Sequence, residues 1–375
     1  MSESKNHSVV LCEAPPLTDA HLAALAKIHG IHRRLRAEVG NPKRWTGTVR
    51  DVLAARSIRQ STKVEGYDVT ADEALTIIHG DSDGTGDVRV VENYQRAMTF
   101  VLQLADDKNF THSTATINAL QFMIAEDDLT KHPGRYRDHA VFVPTGDGES
   151  YTPPSADDVV ALMDALVDRL NDPTADPLIE AAMGHLNLVG VHPYEDGNGR
   201  VSRVLQALVL ARAGLPPELC SIEEYIGRNT PAFYVALAAV DRGEWSPTND
   251  ATPWIEFCLE AHWQQANETA RDLDEAARIY AQLDDLIDGR ALPVRAVDAL
   301  YVATIGGTLT NSSYRAEAGI DDPQTASRDL ARLANGGLLD KAGDRRGAEY
   351  TAAAPLRQLR AEVRADRAPV PPLFD

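Results

Sequence analysis

The run His192-Pro193-Tyr194-Glu195-Asp196-Gly197-Asn198-Gly199-Arg200-Val201-Ser202-Arg203 joins two apolar stretches whose residues recur at three- and four-residue spacings, roughly Leu178 to Val191 before it and from Asn198 after it. The second stretch carries Val201, Val204, Leu205, Leu208 and Val209 and stops at Gly214, so the pattern predicts helix, glycine-bearing loop, helix. Gly197 and Gly199 let backbone amides turn inward with no Cβ in the way, and the opening turn of the second helix adds unpaired N–H groups and a positive dipole end. That is an anion cradle. Arg200 and Arg203, three apart, share a helix face and each presents a planar fork of donors to a polyphosphate. Asp196 offers a hard oxygen of the kind Mg²⁺ accepts beside phosphate oxygens and water. His192, titrating near neutrality, can take a proton from a hydroxyl. Singly, each feature is ordinary: a helix-end histidine, a tight turn, a solvated pair of arginines. In one short run they make a base, a metal ligand and a charge clamp.

Outside this run, 375 residues at 43% hydrophobic suffice for a real core and suggest two or three domains. Charges interrupt every apolar stretch that might span a membrane, and the first thirty residues lack the pattern of an export signal, so a cytoplasmic protein with no membrane partner is expected. Cys12, Cys220 and Cys258 are far apart and odd in number, which fits a reducing compartment and no disulfide framework. A net charge of −19 opposes loose association with nucleic acid or anionic lipid, so any phosphate site must be local.

Helical spacing runs from about His21 to Leu104, broken by the polar stretch from Gly80 to Gly86, and resumes near Ala115 to Ala125. Arg135 to Tyr151 reads as a short β-hairpin, with Ala140-Val141-Phe142-Val143 as strand and Thr145 to Ser150 as turn. Ser155 is an N-cap, reciprocated by Asp158, for a helix burying Val159, Leu162, Met163, Leu166 and Leu170. Thr230 caps a further helix with Pro231 in its first turn. Leu292 to Tyr350 reads as three short helices and a small hairpin, and the charged, Pro-containing chain beyond Pro355 as a loose tail.

The central run resembles the signature of the Fic (Fic/Doc) family, His-Pro-Phe-x-Asp/Glu-Gly-Asn-Gly-Arg-x-x-Arg, departing only at Tyr194, whose ring keeps the apolar body of Phe. The resemblance implies an all-α fold: a helical N-terminal region over 1–110, a Fic core over 111–270 with the hairpin as a flap, a linker helix over 271–291, a winged helix-turn-helix over 292–350 and a tail over 351–375. It implies a protein adenylyltransferase that moves AMP from ATP to a Ser, Thr or Tyr hydroxyl and releases pyrophosphate. His192 would be the base, Asp196 the Mg²⁺ ligand, and Gly197, Asn198, Gly199, Arg200 and Arg203 the phosphate binders. Asn229 and Tyr234 would lie on the adenine side. The target protein would add its strand to the flap. Self-modification and a homodimer are further expectations.

Ser61-Thr62-Lys63-Val64-Glu65-Gly66 resembles the family's inhibitory pattern, Ser/Thr-x-x-x-Glu-Gly/Asn. The resemblance implies that Glu65 pairs with Arg203 and occupies the place of the γ-phosphate. The same glutamate can instead position water for removing AMP from a modified target. In the C-terminal module, a helix beginning near Gln324 and a wing bearing Arg345 and Arg346 would meet DNA if the module is a nucleotide-responsive regulator, although Asp329 sits on that helix.

Overall fold

The computed structural model describes residues 10–374 apart from 83, 145–149, 291 and 345–346. Its helices are α1 (Asp19–Val39), α2 (Thr46–Lys63), α3 (Ala71–His79), α4 (Asp87–Asp106), α5 (Thr114–Ala125), α6 (Ala156–Asn171), α7 (Pro177–Val191), α8 (Asn198–Arg212), α9 (Pro217–Cys220), α10 (Glu223–Arg228), α11 (Thr230–Asp241), α12 (Thr252–Arg290), α13 (Val297–Thr304), α14 (Asn311–Ala318), α15 (Pro323–Asn335) and α16 (Ala354–Arg364). Two antiparallel hairpins, β1 (Val143–Pro144) with β2 (Ser150–Tyr151) and β3 (Leu339–Ala342) with β4 (Glu349–Ala352), complete an all-α fold. No described helix is long and apolar enough to cross a membrane.

The core is centred on α7 and α8, which pack on each other; α7 also meets α6 and α12, and α8 meets α4 and α5. A helix so enclosed is apolar nearly all round, and the polar residues it does bury need partners. His185 finds Gln206 at 2.7 Å, while Asn187 accepts the Cys12 N–H at 2.8 Å and donates to the Cys12 carbonyl at 3.0 Å, tying the N-terminal segment to the centre.

The long helix α12 has 39 residues, about 58 Å at 1.5 Å per residue. It runs without a break through the expected boundary at 270, linking α1, α7 and α11 to α13 and α16. The C-terminal segment holds the three expected short helices and a hairpin, with Leu309 exchanging both backbone bonds with Tyr350 at 2.8 Å. Asp329 turns inward, taking two bonds from Arg295 (2.7 and 3.0 Å) and one from the Tyr314 hydroxyl (3.0 Å). Arg345 and Arg346 lie outside the described residues.

Four local expectations change. The first flap strand is not Ala140 to Val143: only Val143 and Pro144 pair, with Tyr151 and Ser150. Thr152 is drawn to Gly243 and Trp245 instead, and Pro153 and Pro154 have no N–H for a ladder opposite residues 140–142. Most of the expected turn, residues 145–149, is outside the described residues. Ser155 caps the Asp157 N–H at 3.4 Å, without the reciprocal bond from Asp158. Asn229 takes the N-cap place of α11, and Thr230 Oγ1 instead donates back to the Ile226 and Gly227 carbonyls that end α10. Finally, the tail is not loose. Residues 354–364 form α16, burying Leu356, Leu359 and Val363, and Arg367 meets Glu268, Asp272 and Glu275 of α12. Its charges masked an apolar face spaced by three and four.

Candidate active site

His192 ends α7 in the left-handed conformation (φ 49°, ψ 57°), its N–H returning to the Leu188 carbonyl at 3.0 Å. Left-handed backbone is unfavourable for a residue with a Cβ, so something must hold the turn. Arg137 does. Its Nε donates to the His192 carbonyl (2.8 Å), Nη1 to the His139 carbonyl (3.0 Å) and Nη2 to the Pro154 carbonyl (2.6 Å), and its own N–H meets the Pro193 carbonyl (2.8 Å). The buried guanidinium thus clamps the turn at His192 to the segments that enter and leave the β1–β2 hairpin.

The imidazole Nδ1 lies 3.3 Å from the Val189 carbonyl, an acceptor, so Nδ1 carries the proton and Nε2 keeps a free lone pair. Burial, with Arg137 adding to it, lowers the His192 pKa to about 4, against the pull of Val189, Glu65 and Asp196. The ring is therefore neutral at pH 7, as a base must be. In an NMR titration His192 should stay neutral down to pH ~5, where an ordinary histidine with pKa near 6.5 is already charged; a midpoint above 6 would contradict this environment.

The loop after it is held by its own side chains. Asn198 accepts the Tyr194 N–H (3.0 Å) and donates to the Tyr194 carbonyl (2.8 Å), so its amide closes the loop and leaves the backbone N–H groups of the first α8 turn for a ligand. Gly197 precedes α8 at φ 76°, which suits a residue without Cβ. The Tyr194 ring is wholly buried and its hydroxyl, the one departure from the family signature, donates to Asn118 Oδ1 at 2.7 Å. Asp196 is 44% exposed at its side chain; Arg200 Nη2 bonds its Oδ2 at 2.8 Å while Nη1 reaches the Ile124 carbonyl at 3.2 Å. Arg200 also lies over the Tyr67 ring at 5.2 Å. Arg200 thus aims Asp196 rather than pointing both arms of its fork at open space.

Arg203 is buried and faces α2. Nε donates to Ser61 Oγ (2.8 Å), Nη2 to the Ser61 carbonyl (3.0 Å) and to Glu65 Oε1 (3.0 Å). Nη1 is buried with no acceptor among the described residues and lies beside Gly199. Burial works against the Arg203 charge, but Glu65, Tyr94 and Glu223 more than offset it and raise its pKa. Behind Ser61, its hydroxyl meets Tyr94, whose hydroxyl donates to Glu223 at 2.8 Å, and burial lifts the Glu223 carboxyl to about 7.

A Cβ on residue 199 would overlap Glu65 Oε1 and come within 3.3 Å of Arg203 Nη1, so Glu65 covers the first turn of α8. Gly199→Ala should therefore lower stability by the ~1–3 kcal/mol of overpacking. Adding Glu65→Gly to the same chain should recover most of it in denaturant unfolding, a coupling that two additive losses would disprove.

A cavity of 130 Å³ adjoins His192, bounded by Val143, Pro144 and Tyr151 of the flap and by Tyr234, Asp241 and Trp245. Burial raises the Tyr234 phenol, with Glu65 adding to it and Arg203 opposing. Asn229 is not among the cavity's lining residues, and its amide donates to the Tyr225 carbonyl at 2.9 Å. The structure so brings together His192, Asp196, the 197–199 turn, Arg200, Arg203, Ser61, Glu65 and Tyr234. Sequence reading missed Arg137, Asn118, Tyr94, Glu223 and Asp241, which lie in no motif and meet the site only through packing.

Residues 111–210 match the profile of the Fic/DOC family. Over 117 residues the chain is 36% identical to the protein adenylyltransferase fic-1 of Caenorhabditis elegans, covering 30% of this chain and 21% of that protein. Over 132 residues it is 39% identical to the protein adenylyltransferase Fic of Nematostella vectensis, covering 34% and 27%. The chain thus spans at most 27% of the length of these two relatives. The fold likeness is broader: a Fic family protein from Desulfovibrio desulfuricans G20 aligns with TM-score 0.60 at 22% identity, covering 91% of this chain and 98% of that one. Residues 134–508 of C. elegans Fic-1 align with TM-score 0.51 at 22% identity, covering 68% and 72%. The family profile thus falls on α5 to α8 and on the loop between α7 and α8, and it is residues 111–210 that match the Fic/DOC family.

Proposed function

We propose that this protein is an adenylyltransferase that moves AMP from ATP to a Ser, Thr or Tyr hydroxyl of a protein, and that Glu65 restrains it at rest. The observation that carries the reading is the meeting of His192, the α8 N-terminus and an Arg203 whose guanidinium is held by Ser61 and Glu65. His192 Nε2 takes the proton of the target hydroxyl. The freed oxygen bonds to the α-phosphorus, the bond to the β-phosphate breaks, and pyrophosphate leaves with its electron pair. Backbone N–H groups at 197–199 and the free Nη1 of Arg203 receive phosphate charge, and positioning does most of the work in such transfers.

No cluster of three or more His, Cys, Asp or Glu that could hold a metal exists among the described residues. A lone, half-exposed Asp196 suits Mg²⁺, which takes its other ligands from phosphate and water and, when bound, neutralises phosphate charge. Arg200 keeps that carboxylate in place. We assign the nucleoside to the cavity at Tyr234 and Asp241 rather than to Asn229, and the target backbone to the β1–β2 flap. Three buried, free cysteines are consistent with a cytoplasmic protein.

The restraint is a competition. Glu65 sits over Gly199 where phosphate would approach, and ATP must displace it from Arg203. Intact-mass analysis after incubation with ATP and Mg²⁺ tests the activity by the added mass of AMP. We further assign residues 292–350 as a winged helix, with Gln324, Ser327 and Arg328 on the exposed face of α15; the inward turn of Asp329 favours a duplex contact there. Salt-dependent binding of a specific DNA duplex would test this second role.

A further inference from the structure

Ser61, which holds Arg203, lies near the C-terminal end of α2, and Glu65, its other partner, follows just beyond that helix. One face of the same helix lines a cavity of 380 Å³ between α2, α3, α12, α13 and α16. Such a volume is at the small end of the roughly 300–1,000 Å³ typical of ligand sites. One wall is apolar, with Leu53, Leu75, Ile279, Val302 and Ile305.

The other wall is rich in arginine, and nearly all of that charge is matched. Arg56 pairs with Asp272 and Glu224, Arg228 with Glu224, and Arg59 with Asp68. On α16 and just beyond it, Arg364 meets Glu275 at 3.5 Å and Arg367 meets three carboxylates. Arg360 is the exception: it has no hydrogen-bond or ion-pair partner among the described residues. Its Nη1 would lie 3.0 Å from a Cβ on Gly306, which stands at φ 107°, so a glycine makes the room this guanidinium occupies. Burial, then the neighbouring Arg364, lowers the Arg360 pKa against the weaker pull of Glu275, which forms no ion pair with it.

We propose that this cavity is an effector site for a small organic anion, an apolar body with one anionic head paired to Arg360, and that its occupant strengthens the hold of α2 on Arg203. The sign follows from linkage. The cavity exists in the conformation in which Glu65 and Arg203 are paired, so a ligand that fits it binds that conformation best and shifts the population toward it. The regulatory half rests on the restraining role given to Glu65 above; the binding half does not.

The probe is naphthalene-1-acetate, with its uncharged amide as control, titrated calorimetrically into the full chain. The acid should bind at least about tenfold more tightly than the amide, the worth of one charge-assisted pair. Arg360→Met should erase that preference, Arg360→Lys should keep part of it, and Ala276→Leu, which narrows the cavity, should weaken both ligands. Equal binding of acid and amide, or a preference that survives in a folded Arg360→Met protein, would overturn the site. Saturating acid should then lower ATP affinity severalfold in the unaltered protein and leave it unchanged in Glu65→Gly. An equal fall in both proteins means direct competition with ATP, and no fall in either means no coupling; each overturns the effector role. If Glu65→Gly alone leaves ATP affinity unmoved, it is the restraining role of Glu65 that fails, while the Arg360-dependent preference still reports on the cavity.

Discussion

Glu65→Gly should raise ATP affinity and AMP incorporation by about ten- to a hundredfold, the worth of one hydrogen-bonded charge pair removed from the competition for Arg203. The carboxylate is only 28% exposed and its partner 1%, so water screens the pair weakly and the gain should survive moderate salt. Ser61 would still hold Arg203 Nε and one Nη2 bond, keeping the guanidinium aimed at the first turn of α8. The check is calorimetric ATP binding beside intact-mass analysis. Identical affinity and identical added mass in the two proteins would remove Glu65 from any restraining role.

His192→Ala, made in the Glu65→Gly background where the signal is high, should cut AMP incorporation by at least the ~10²–10⁴ of a general base. ATP affinity should hardly change, because the phosphate donors we propose belong to α8 and Arg203 rather than to the imidazole. The separation matters. A variant that lost ATP binding as well would point to collapse of the turn that Arg137 clamps, and one that kept full incorporation would need another base. The left-handed backbone at 192 is carried by Arg137, Leu188 and Pro193, so alanine there should fold with a modest loss of stability.

Much of the site was legible because it is local. Helix ends around 191 and 198, the glycine turn and the i, i+3 arginines depend on backbone geometry within a few residues, and α7 and α8 lie where the apolar spacing put them. Even so, the side chain of Asn198 closes the loop and Arg200 aims Asp196, which spacing could not distinguish from phosphate contacts. The tail was misread for the opposite reason: α16 has a regular apolar face, but its dense charge outweighed it until α12 supplied carboxylates to meet it.

By itself, then, the order of residues determined the glycine turn from His192 to Arg203, the helices that flank it and a carboxylate suited to meet Arg203. Only tertiary structure decided that Ser61 and Arg203, 142 positions apart, share a hydrogen bond, that Arg137 straps the turn at 192, and that Arg360 faces a cavity with no carboxylate bonded to it among the described residues. Periodicity and caps are written in neighbouring dihedrals, whereas these meetings arise from how separately specified helices pack, which no short window of sequence contains.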